Sequence, residues 1–177
     1  GGAVSLNSYA SLDSTDSTWT SNGGYYTHGA GIYAYYDNDI TLSGDTFDSN
    51  YATYYTSGYH GGAIYLGSYS DLVAEDTLFD SNYGYHGGAI FSLSYNSIDL
   101  TDVDFNSNYA RYYGGAVYLY YYSDRSHDGG EYTSNSSYYS GGSIYAYYET
   151  DLDLDNLEFV SSNSLYGYGG SIYQYYY

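Results

Sequence analysis

Apolar side chains recur along this chain at fixed offsets inside a unit of about 27 residues. The fourth position of each copy is β-branched: Val4, Ile32, Ile64, Ile90, Val117, Ile144 and Ile172. Directly before it stands only Ala, Gly or Ser. The twelfth position reads Leu12, Ile40, Leu72, Ile98, Arg125 and Leu152, and the fourteenth Ser14, Leu42, Ala74, Leu100, His127 and Leu154. Around these positions polar and apolar residues alternate, the period of a strand with one buried face. The pattern predicts two or three short strands per copy, each matching the inward side chains of the next copy.

Each copy opens on a Gly-Gly-Ala-Ile tetrapeptide or a close variant, at Gly1, Gly29, Gly61, Gly87, Gly114, Gly141 and Gly169. An aromatic residue follows 18 positions later in every full copy: Trp19, Phe47, Phe79, Phe105, Tyr132 and Phe159. A Ser stands two residues beyond it, and then an Asn: Asn22, Asn50, Asn82, Asn108 and Asn135, with Ser162-Asn163 one step out of place. Only the stretch between this Asn and the next opener changes length. A fixed body with one variable corner is the mark of a solenoid. Random polar sequence would not hold an aromatic residue at one offset six times.

Strands of this kind bury their inner faces only by stacking in register. The expected fold is therefore all-β: one domain over residues 1–177, a single parallel β-helix of about six and a third coils, with the seventh opener at Gly169 starting a partial one. Parallel crossovers favour right-handed winding. At roughly 4.8 Å per rung the rod would be roughly 30 Å long. The Gly-Gly pair suits a tight corner, the Asn residues a hydrogen-bonded ladder, and the aromatics an internal stack.

The pairing of GGAI (Gly61–Ile64, Gly87–Ile90) with FDSN (Phe79–Asn82) and FNSN (Phe105–Asn108) resembles the repeats of chlamydial polymorphic outer-membrane proteins and related bacterial surface proteins. Looser copies, GGAV at Gly114–Val117 and YTSN at Tyr132–Asn135, extend the likeness to nearly the whole chain. The resemblance implies a right-handed β-helix and an adhesive passenger region. In that family a C-terminal membrane barrel carries the passenger; no barrel sequence is present here.

Composition narrows the function. The chain has 34 Tyr and 23 Gly but no Pro, Cys or Met. Without Cys there is no disulfide, thiolate chemistry or Cys-based metal site. A net charge of −19, with Arg111 and Arg125 the only permanent cations, opposes binding to nucleic acid or to anionic membranes. No apolar run is long enough to cross a membrane as a helix. Asn135-Ser-Ser is the one glycosylation sequon.

The residues that directly follow the buried β-branched position should point outward: Tyr33, Tyr65, Phe91, Tyr118, Tyr145 and Tyr173. Two residues further come Tyr35, Gly67, Leu93, Tyr120, Tyr147 and Tyr175, so adjacent columns of aromatics are expected on one face. Tyr buries a large ring while keeping its hydroxyl bonded, and a broad surface of this kind marks an interface. Gly1 opens directly on a motif and no polar cap is visible, which leads to an expectation of open ends.

Asp151, Asp153 and Asp155 alternate on one strand, and Asp99, Asp102, Asp104, Asp71, Asp76 and Asp80 lie at similar levels of earlier coils. Oxygen ligands in such rows suit Ca²⁺. His28, His60 and His86 each precede an opener and could offer imidazoles to a metal. Arg125 and His127 interrupt the Leu/Ile columns. An unpaired buried Arg is costly, so a bulge or outward pairing is expected there, and such an irregularity could also form a binding or catalytic notch. Nothing resembles a nucleophile elbow or a clustered acid–base pair.

These features lead to a non-enzymatic, extracellular structural protein without a cofactor. Its partner would be itself, joined end to end and laterally into a fibre. The alternative is an adhesin module that contacts glycans or surface proteins through its tyrosine face.

Overall fold

A computed structural model describes residues 1–53 and 60–176. Residues 54–59, most of the longest insertion between an Asn and its next opener, lie outside the described residues, as does Tyr177. Among the described residues the chain is an all-β solenoid without helices, and its strands pair in parallel in four sheets. The first sheet holds seven strands and the other three hold six each, which gives six full turns and the start of a seventh.

Each full turn contributes four strands, where the sequence pattern suggested two or three. The third turn supplies Ile64–Ser68, Asp71–Glu75, Leu78–Asp80 and Tyr83–His86. The fourth strand escaped sequence reading because it lies in the variable stretch and carries no repeated apolar residue. Registers confirm the offsets: Ile64 pairs with Ile90, Leu72 with Ile98 and Phe79 with Phe105.

The turn closes because one residue at each of four corners takes the left-handed conformation. In the third turn these are Gly61, Tyr69, Asp76 and Ser81, with φ of 68°, 59°, 49° and 55°. At a non-glycine residue this costs roughly 1–2 kcal/mol, so each corner needs a compensating interaction. At the opener Gly removes the cost, and space demands glycine as well. A Cβ on Gly61 would stand 2.1 Å from the Ile64 carbonyl oxygen, and one on Gly62 2.0 Å from that of Gly88.

At the serine corner the compensation is the asparagine ladder. Asn82 is fully buried; its amide nitrogen donates to Asn108 Oδ1 at 3.0 Å and to the Phe47 carbonyl at 2.9 Å. The same arrangement joins Asn22 to Asn50, Asn50 to Asn82, and Asn108 to Asn135. In the sixth turn Ser162 takes the ladder position, and its hydroxyl donates toward the Tyr132 carbonyl at 3.4 Å. Asn135 is fully buried with its amide committed to the Phe105 carbonyl, so the sequon offers no free acceptor.

A second polar column, unforeseen from sequence, follows the corner residues Asp37, Tyr69, Tyr95, Tyr122 and Glu149. It consists of Asn38, Ser70, Asn96, Ser123 and Thr150, all buried. Asn96 Oδ1 accepts from the Ser70 backbone N–H at 2.8 Å, and its amide donates to Ser92.

Between these corners runs the apolar core. Its spine is the aromatic column, with ring centroids 5.4, 4.9, 5.0, 4.8 and 4.8 Å apart from Trp19 to Phe159. Leu and Ile columns from the first two sheets pack against it.

Replacing Asn108 with Ala removes a bidentate acceptor and two donated bonds in one buried place. The expected outcome is a loss of about 3 kcal/mol, read as a lower denaturation midpoint, whereas Asn163→Ala on the exposed neighbouring position leaves it within about 0.5 kcal/mol.

Candidate functional site

The outward tyrosine columns form two layers. Tyr33, Tyr65, Phe91, Tyr118, Tyr145 and Tyr173 stack at 5.0–5.4 Å, as the alternation required. They do not, however, form a free surface. Tyr65, Phe91, Tyr118 and Tyr145 are buried, Tyr118 to 5 % exposure, while Tyr33 and Tyr173 at the two ends are half-buried. The cover comes from residues that precede the openers. The His28 ring lies 4.9 Å from Tyr65, His60 4.4 Å from Phe91, His86 5.0 Å from Tyr118 and Tyr113 4.7 Å from Tyr145. Each of these caps the ring one turn up and closes a second apolar cluster outside the sheet.

The surface layer lies further out. Tyr35 is 55 % exposed, and Tyr120, Tyr147 and Tyr175 stack at 5.3 and 5.5 Å. A second ridge runs along the left-handed corner, where Tyr69, Tyr95 and Tyr122 lie 5.1 and 5.0 Å apart with nearly parallel rings. Burial pushes the Tyr65 phenol up to about 12 and raises those of Tyr118 and Tyr145 as well. Burial and then His86 and His28 hold His60 down at about 3, and burial holds His86 at about 4. The covered layer is therefore uncharged at neutral pH.

Charge is segregated around the rod. All 21 Asp and Glu fall within residues 13–16, 37–48, 71–80, 99–104, 124–131 and 149–158, in or beside the second and third sheets. No tyrosine lies in those stretches, and the one tyrosine of the second and third sheets, Tyr132, is buried in the core. The first and fourth sheets carry no carboxylate; the fourth carries Arg111 and His86, and His28 and His60 lie between strands of the fourth and first sheets. One half of the rod is acidic and the other aromatic.

Asp151, Asp153 and Asp155 are exposed on the acidic half, and their alternation turns them to one side of the second sheet. Asp155 sits beside Asp128 in register, while Asp153 sits beside Ser126, so the rows are not continuous. His28, His60 and His86 stack ring on ring, at 5.6 and 4.9 Å, instead of converging. Among the described residues no three His, Asp or Glu side chains assemble a metal site.

The fifth turn corrects the sequence reading. There is no bulge: Arg125 pairs with Ile98 and Leu152, and His127 with Leu100 and Leu154, in unbroken register. Arg125, 2 % exposed, points into the core. Its guanidinium bonds the Tyr132 hydroxyl and lies 2.8 Å from His127 Nδ1, with the Phe105 and Tyr132 rings 6.0 and 5.5 Å from its centre. Burial lowers its pKa to about 9; burial and then the Arg125 charge lower that of His127 to about 3. The group is sealed in the interior and offers no catalytic notch. One signal was present in the sequence: Tyr132 is the only hydroxylated member of the aromatic column, in the same turn as the two misplaced polar residues.

Comparison with protein-family models, curated proteins and solved structures finds no match to this chain.

Two stability measurements follow. Restoring the column with Arg125→Leu and His127→Leu together is expected to raise the denaturation midpoint, because a packed apolar side chain usually outperforms a buried charge by about 1–4 kcal/mol. Tyr132→Phe alone is expected to lower it, since the guanidinium loses its oxygen acceptor. The pH dependence has a fixed sign. His60, His86 and His127 stay neutral in the fold but take up protons in the unfolded chain below its pKa of about 6.5. Stability is therefore complete above that value and falls as pH drops from about 6.5 towards 4, by roughly 1 kcal/mol per pH unit for each histidine. His127→Leu, in the Arg125→Leu background, is expected to flatten that slope in thermal melts.

Proposed function

We propose that this chain is a non-enzymatic structural rod that associates with copies of itself through its aromatic half and works outside the cell. The carrying observation is the segregation of charge. A body of net charge −19 repels its copies wherever carboxylates face one another. The first and fourth sheets hold none, so two rods meeting there keep their acidic halves on opposite outer sides, beyond much of the ~8 Å screening length at physiological salt. The surface presented is one of stacked phenols with rings exposed at Tyr35, Tyr95 and Tyr175. Tyrosine is enriched at protein interfaces because the ring buries area while the hydroxyl stays hydrogen-bonded. The extracellular location belongs to the same reading and leans on the likeness of the GGAI and FxxN repeats to bacterial surface proteins. A second reading, a binding module, is favoured by the groove around Arg111 described below.

The test is sedimentation and negative-stain imaging over a range of concentration and salt. Added salt should strengthen lateral association by screening the acidic halves. Replacing Tyr35, Tyr120, Tyr147 and Tyr175 with Ser should reduce association at least tenfold without lowering the melting temperature by more than a few degrees. Single rods at millimolar protein in high salt, or unchanged association in the Ser variant, would count against the proposal. End-to-end joining is read from particle length in the same micrographs.

A further inference from the structure

The aromatic half carries one exposed permanent cation, and a single inserted residue delivers it. In the fourth sheet Tyr83 pairs with Tyr109 and Gly84 with Ala110, yet His86 pairs with Tyr113. One residue, Tyr85, thus faces two on the next rung. The Tyr85 ring stacks on Tyr112 at 4.3 Å and His86 on Tyr113 at 5.4 Å, which leaves Arg111 as the extra residue of a β-bulge. Bulges re-aim side chains and concentrate at functional positions. This one turns the guanidinium into a groove of about 400 Å³ lined by Tyr83, Tyr109, Tyr112, Tyr138 and Tyr139.

The walls are pairs of phenol rings. Tyr83 and Tyr109 lie 5.4 Å apart, and Tyr112 and Tyr139 5.3 Å apart, one pair to a rung step. No Asp or Glu belongs to the first or fourth sheet, so an anion can approach here although the whole chain is strongly acidic. The ligand must therefore combine two properties: a flat face with C–H groups to lie on the phenols, and an anionic fork to meet a planar guanidinium. A phosphate alone lacks the first and a neutral sugar the second. We propose that this groove binds a carboxylated polysaccharide, with a uronate carboxylate on Arg111 and its sugar rings on Tyr109, Tyr112 and Tyr139.

Arginine suits the role because its fork takes both carboxylate oxygens, which lysine cannot do. The occupant is a sugar rather than an acidic protein segment because five rings surround one cation. A peptide carboxylate would use the arginine and leave the platform idle.

The test is affinity electrophoresis of dilute protein in native gels containing polygalacturonate, dextran or polyglutamate, at concentrations below those at which the rods associate. Retardation by polygalacturonate alone is expected. Arg111→Gln should weaken it about fivefold, the worth of one exposed ion pair, with Arg111→Lys between the two. Tyr112→Ala and Tyr139→Ala should each weaken it as well, while circular dichroism melts of all four variants stay close to the parent. Equal retardation by dextran would remove the role of the charge. Equal retardation by polyglutamate, or tyrosine variants that bind as the parent does, would remove the sugar. An unchanged Arg111→Gln would overturn the site altogether.

Discussion

Everything in this rod depends on closing a square-cornered coil with residues that dislike the corner. Each turn bends through four left-handed residues, and outside the openers nearly all of them carry side chains. At the serine corner, and at several of the tyrosine corners, the unfavourable conformation persists because the residue after it points inward and finds a partner on the next rung. Asn82 after Ser81 and Ser70 after Tyr69 are two cases of one device. A buried amide bonded above, below and to a carbonyl gives back more than the corner withholds, since leaving it unpaired would cost several kcal/mol. Register is thereby fixed: a slip of one residue would set each Asn against the preceding Ser or against the residue that follows it, and would break the ladder.

That dependence explains what could be read from residues alone. The aromatic spine and the asparagine ladder repeat one residue type at one offset, so identity betrayed geometry. The second column, Asn38, Ser70, Asn96, Ser123 and Thr150, is bonded from rung to rung at Asn38–Ser70 and Ser70–Asn96; only polarity and small size persist along it, and it passed unnoticed. The fourth strand was hidden for a related reason: its residues face tyrosine on one side and the variable corner on the other. The outer tyrosine column was placed on the correct side of the sheet, but alternation says nothing about what lies above a side chain. The histidines that cover it sit in stretches of unequal length, and only the three-dimensional stack brings His60 over Phe91.

Arg125 is instructive in the opposite direction. The energetic rule that a lone buried guanidinium is costly was sound, and the conclusion that the strand bulges or the charges pair outward was not. A parallel solenoid couples each strand to two neighbours along its full length, so a bulge in the second sheet would disturb Leu100 above and Leu154 below. Accepting the cation, with a tyrosine exchanged for phenylalanine and an imidazole beside it, left every register intact. The polar group is thus the smaller of two perturbations.

The partition of the surface follows from the same layered construction. A column once acidic stays on one side of the rod through every turn, because stacking without rotation carries each position straight up the axis. Segregation into an acidic and an aromatic half therefore needs no long-range design; it follows from using the same residue classes at the same offsets. The two halves also respond to different conditions. The buried phenols titrate far above neutrality and the buried imidazoles far below it, so between these limits the charge of the covered layer is constant. Salt acts on the exposed carboxylates of the far side by screening them. Conditions can thus tune how strongly two rods repel without altering the face on which they would meet, a separation that a surface of interspersed charges and rings could not provide.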